Sequence, residues 1–154
     1  MMLMAACALN GFAADEAPPR EEAKLAAAEK QPALMLGDSM MRLMGKAIEK
    51  ELKADGYEAT TFSSIGSGLA RLDVFDWFSR IDSTMKAAKP VVVVVTLGAN
   101  DRQALQDGAG NVLQFGTAEW REEYGKRIGR AMDVILENGA KRIIWLELPD
   151  MKEH

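Results

Sequence analysis

The chain has 154 residues, 48% hydrophobic and 27% charged, which excludes a disordered polymer and leaves room for one domain of ordinary size. Its 19 basic and 23 acidic residues give a net charge of −4, so it offers no electrostatic footprint for nucleic acid. The single cysteine, Cys7, supports neither an internal disulfide nor a zinc site, and the single histidine, His154, is the last residue.

Residues Met1 to Ala14 carry no charge and are mostly apolar, with small residues at Gly11, Ala13 and Ala14. They read as a signal peptide cut after Ala13 or Ala14, so the expected location is the periplasm or the exterior of the cell. The stretch is too short to span a bilayer, and no integral membrane protein is expected. Residues 15–31 are charged and Ala-rich with Pro18-Pro19 inside, a solvated spacer. Residues 32–154 then form the expected domain.

Ala33-Leu34-Met35-Leu36 is the first predicted strand. Met40, Met41, Leu43, Met44, Ala47, Ile48 and Leu52 recur at helical spacing and stop at Gly56. A methionine stripe of this kind packs a core more often than it binds a metal. Tyr57 to Phe62 is a second strand. Asp73 is the expected cap of a helix burying Val74, Phe75, Trp77, Phe78, Ile81 and Met85. Val91 to Val95 is a run of five valines between Pro90 and Gly98, the pattern of a strand covered on both faces. Trp120, Tyr124, Ile128, Ala131, Met132 and Ile135 form the next helical face, ending at Gly139. Ile143 to Leu146 is a fourth strand, closed by Pro149.

Strands alternating with helices predict an α/β fold with a parallel sheet and helices on both faces. Such sheets bind ligands beyond the carboxyl ends of their strands, so chemistry is sought in the loops that follow them. After the first strand, Gly37-Asp38-Ser39 places a hydroxyl at a helix N-terminus, where unpaired amides favour an oxyanion. The same tripeptide also reads as a plain capped turn. After the second strand, Gly66 and Gly68 allow close approach of backbone to a ligand. After the valine strand come Gly98-Ala99-Asn100-Asp101. There Asn100 offers a neutral amide donor, and Asp101 caps the next segment or fixes the loop. No dinucleotide or phosphate loop follows the glycines, and no His/Cys cluster has metal-ligand spacing, so neither a cofactor nor a metal is expected.

Together these blocks resemble the SGNH, or GDSL, hydrolase superfamily of esterases and lipases. The run Gly68-Leu69-Ala70-Arg71-Leu72-Asp73-Val74-Phe75-Asp76-Trp77, with Gly98-Ala99-Asn100-Asp101-Arg102-Gln103, is similar to an exported bacterial branch catalogued as a domain of unknown function. The resemblance implies a flavodoxin-like three-layer α/β/α sandwich that hydrolyses acyl esters. It implies Ser39 as nucleophile and an oxyanion hole from the Ser39 amide, the Gly68 amide (Gly66 as runner-up) and the Asn100 side chain. Gly37, Asp38, Gly98 and Asp101 support these groups. The implied substrate is a small ester or an acylated carbohydrate.

The superfamily's Asp-x-x-His block is not matched. Asp150 and His154 have three residues between them and follow the fourth strand, whereas the family block follows a fifth. His154 and Asp150 are disfavoured as base and partner, and the catalytic His and Asp are not identified. The expectation is a C-terminally truncated domain lacking the last strand and helix. As this polypeptide it would be an esterase by lineage with impaired activity. The alternative is a catalytically silent carbohydrate- or partner-binding protein that keeps the crevice.

Overall fold

A computed structural model describes residues 30–148 of the chain. The expected signal peptide, the spacer through residue 29, Asp150 and His154 lie outside the described residues. The elements run β1 (Gln31–Gly37), α1 (Ser39–Ala54), β2 (Tyr57–Ser63), α2 (Trp77–Ala88), β3 (Val92–Thr96), β4 (Leu105–Gln106), β5 (Val112–Leu113), α3 (Ala118–Glu137) and β6 (Arg142–Trp145). Four strands form one sheet in the order β2-β1-β3-β6, and every pair in it is parallel. The predicted α/β class is therefore the observed one.

The sheet is buried on both sides because its central strands are apolar without alternation. Leu34, Leu36, Val93 and Val95 face one core together with Trp77, Ile81 and Met85 of α2 and Ala131, Val134 and Ile135 of α3. Ala33, Met35, Val92 and Val94 face the other, against Met41 and Leu52 of α1. Each of the Val, Leu, Ile and Met side chains contributes about 1.5–3 kcal/mol when fully buried. The chain leaves β1 toward β2, then returns across β1 to reach β3, so the strand order reverses between β1 and β3. That switch point opens a crevice at the carboxyl ends of β1 and β3.

Two local expectations are corrected. The α2 cap is Asp76, not Asp73: the Asp76 carboxylate accepts from the Ser79 N–H at 3.1 Å and the Ser79 hydroxyl at 2.5 Å. Asp73 instead pairs with Arg71 at 2.7 Å, and Val74 lies exposed in the turn before the helix. On α1 the buried stripe is Met41, Gly45 and Leu52, while Leu43 and Ala47 face solvent, because the inward face is narrower than the run of apolar residues. The antiparallel β4–β5 hairpin between β3 and α3 has no counterpart among the predicted elements. It packs Leu105 and Leu113 on Ala70 and Trp120. No helix among the described residues is long and apolar enough to cross a membrane.

Candidate active site

The turn between β1 and α1 is dictated by crowding. A side chain at Gly37 would place its Cβ 2.3 Å from the Thr96 hydroxyl and 2.6 Å from the Met41 Cβ, so only glycine lets β1 run under the helix start. Asp38 is the N-cap. Its carboxylate, fully buried, accepts from the Met40 N–H at 2.8 Å and reaches across the switch point to the Ala99 N–H at 3.2 Å. Its backbone N–H donates to the Thr96 carbonyl at 3.1 Å. Burial pushes the Asp38 carboxyl above the ordinary aspartate range, opposed by those backbone N–H donors.

Because Asp38 caps the helix, Ser39 does not. It is the first helical residue, half-buried, and among the described residues its hydroxyl and its backbone N–H have no protein partner. An unpaired N–H at a helix N-terminus carries part of the positive end of the helix dipole.

The loop after β2 is tied to this turn and to the loop after β3. The Ser64 N–H donates to the Gly37 carbonyl at 2.9 Å. The Ser67 hydroxyl donates to the Ser64 carbonyl at 2.7 Å and accepts from the Trp77 indole N–H at 3.1 Å. Asn100 is no local turn residue: its Nδ2 donates to the Ser67 carbonyl at 2.9 Å. Asp101, only 2% exposed, accepts from the Leu69 N–H at 3.0 Å, the Ala70 N–H at 2.8 Å and the Tyr124 hydroxyl at 2.6 Å. Its own N–H donates to the Gly98 carbonyl at 3.1 Å. Burial and the neighbouring Asp101 charge drive the Tyr124 hydroxyl far above the ordinary tyrosine range, so it stays a donor.

Gly68 is explained by this carboxylate. A Cβ there would lie 2.0 Å from Asp101 Oδ1. Its N–H has no protein acceptor among the described residues. The Ser67–Gly68 peptide is trans, so its carbonyl and N–H point in opposite directions. Gly66 sits in an exposed turn at φ +74°.

Residues 32–154 match the model of a family described as a protein of unknown function, DUF459. The chain belongs to the DUF459 family. No curated protein matches it.

In this DUF459 member the loops after β1, β2 and β3 that the sequence singled out do meet at one edge of the sheet. Sequence reasoning missed the groups that fasten them. In the sequence Trp77 reads only as core and Tyr124 only as one position of a helical face, and no motif marks Ser67 or Arg127. Arg127, buried on α3, donates from Nη1 to the Leu69 and Ala70 carbonyls at 2.8 and 3.1 Å and from Nη2 to the Gln106 carbonyl. A charged side chain gives no signal of burial in a sequence, because charged residues are mostly exposed. Ser67 had a weak signal, as a small polar residue between two glycines.

Proposed function

We propose that this DUF459 member is a serine hydrolase of the SGNH type, cleaving carboxylic esters, O-acetyl esters of carbohydrates among them, through an acyl-enzyme on Ser39. The observation that carries the reading is the division of labour at the start of α1. Asp38 does the capping, and the hydroxyl and N–H of Ser39 are left without protein partners beside the Asn100 loop. A serine whose only task was to cap the helix would spend its hydroxyl on a backbone N–H.

In the proposed reaction the Ser39 oxygen attacks the ester carbonyl carbon while a general base removes the hydroxyl proton. The carbonyl oxygen becomes an oxyanion, stabilised by the Ser39 N–H and by the Asn100 amide, whose nitrogen has a second hydrogen beyond the one given to Ser67. Collapse breaks the ester C–O bond, the alcohol leaves with a proton, and water hydrolyses the acyl-enzyme. We assign the amide of the loop after β2 to Gly68, whose N–H has no protein acceptor among the described residues, with Gly66 as the alternative. On this reading Gly68 is required because Asp101 occupies the space of its side chain. The described residues contain no histidine, so the base is not assigned to any of them. Export stays part of the proposal, supported by the uncharged apolar residues 1–14.

The test is reaction with a fluorophosphonate probe, read by intact mass. One adduct on the wild type and none on Ser39→Ala is the expected result. No adduct on either chain would sink the reading in favour of a silent binding protein.

A further inference from the structure

The site holds two buried charged side chains that the proposed chemistry does not use, and they grip the same peptide group. The peptide between Leu69 and Ala70 gives its N–H to Asp101 Oδ1 at 2.8 Å and its carbonyl to Arg127 Nη1 at 2.8 Å. A trans peptide directs these two groups oppositely, so an anion and a cation stand at the two ends of one peptide dipole. The flanking groups repeat the arrangement: the Leu69 N–H goes to Asp101 Oδ2 at 3.0 Å and the Ala70 carbonyl to Arg127 Nη1 at 3.1 Å. Asp101 and Arg127 are thus joined through the backbone between them and not by direct contact. Each is nearly inaccessible, at 2% and 8% exposure. Further bonds hold the holders: Tyr124 donates to Asp101 at 2.6 Å, and Glu123 accepts from Arg127 Nε at 3.3 Å.

Burying an ion costs several kcal/mol even after relaxation. Apolar packing would fill the same volume without that cost. What the charges add is direction, because they fix the orientation of successive peptide planes. The plane just upstream carries the Ser67 carbonyl, the acceptor that holds the Asn100 side-chain amide at 2.9 Å. The same Asp101 that anchors residues 69 and 70 is the chain neighbour of Asn100. The clamp therefore constrains the oxyanion donor from both sides, through its backbone and through its acceptor.

We infer that Arg127 and Tyr124 are positioning residues for the Asn100 amide, acting through the Asp101-held segment Leu69–Ala70. This rests on the serine-hydrolase reading for its catalytic meaning, and the positioning itself is measurable without it. Arg127 makes three carbonyl contacts from a planar fork, a task that a lysine point charge fulfils only in part.

The experiment compares wild type, Arg127→Lys, Arg127→Met and Tyr124→Phe by amide NMR and by the rate of fluorophosphonate labelling at Ser39. In Arg127→Met the Leu69 and Ala70 amides should exchange at least about tenfold faster, and the Asn100 side-chain pair should move toward the shifts of a free amide. The β3 amides should stay as in the wild type. Labelling should slow roughly 10- to 100-fold, the usual consequence of a misplaced donor. Arg127→Lys should fall between, and Tyr124→Phe, the mildest change, keeps the test open if Arg127→Met does not fold. Asn100 resonances and exchange rates unchanged in the variants would overturn the inference. So would altered resonances with undiminished labelling, which would make the clamp purely structural. A wild type that takes no label would count against the hydrolase reading alone, and the Asn100 resonances would still decide the positioning.

Discussion

Asp107 and Asp101 each collect two backbone N–H groups on one carboxylate, and they do so for different ends. Asp107, in the β4–β5 hairpin, accepts from the Ala109 and Asn111 N–H groups at 2.9 and 2.8 Å and from the Asn111 side chain at 2.9 Å. All its partners lie within four residues and the bonds are exposed to solvent. Asp101 accepts from Leu69 and Ala70, which precede it by 32 and 31 residues, and its bonds are buried. The first arrangement closes a turn on itself, as Asx-type turns do. The second joins the loop after β2 to the loop after β3, so disturbing it disturbs a site. Local anchors make shape, whereas distant ones make a constellation.

The contrast is broken most forcefully at Asp101. Asp101→Ala strands two backbone N–H groups and the Tyr124 hydroxyl in a buried space, and frees one end of the peptides whose carbonyls Arg127 holds. The expected loss is about 3–5 kcal/mol, measured as a shift of the urea unfolding midpoint at constant slope. A loss below about 1 kcal/mol would show that the segment is held by packing and not by the carboxylate. Next in size is Gly68→Ala. The added methyl meets a carboxylate oxygen at 2.0 Å, and overpacking of this kind costs about 1–3 kcal/mol. Gly66→Ala is the matching probe: the space there is open, and only the left-handed φ of +74° opposes the change, at about 1 kcal/mol. If Gly66→Ala proves the more costly of the two, the steric account of Gly68 is wrong.

What the sequence reveals follows the same division. The four strands of the main sheet and the helices α1, α2 and α3 are legible because apolar runs and helical periodicity are local patterns. The hairpin is not, since strands of two residues, Leu105–Gln106 and Val112–Leu113, are too short to show any period. The α2 cap was misplaced by three residues, although a signal existed: Asp76 is followed at the third position by Ser79, a hydroxyl that can answer the cap, while Asp73 is followed there by another aspartate. Within the candidate site, Ser39, Asn100 and Asp101 stood out by motif. The partners of Asp101 did not. Nothing local to Tyr124 says that a carboxylate 23 positions earlier sets its direction, and nothing local to Arg127 points to carbonyls 58 and 57 positions earlier.

The smallest expected effect tests the surface member of the pair and turns on the sign of its titration. The Asn111 side chain and the hairpin N–H groups hold the Asp107 carboxyl below its ordinary value. A carboxyl lowered in the fold adds stability above its unfolded pKa, and that stability is lost as pH falls through the folded value. The difference between wild type and Asp107→Ala should therefore be small at neutral pH and vanish below the carboxylate range. Asp38 has the opposite sign, because burial raises its carboxyl in the fold. Any advantage of wild type over Asp38→Asn should be greatest in acid and shrink as pH rises through the raised value. Paired urea titrations of the two variants across the acid range read both slopes in one experiment. Parallel slopes would mean that the buried switch-point carboxylate and the hairpin carboxylate are solvated alike, and the distinction between a closed turn and a fastened site would lose its electrostatic basis.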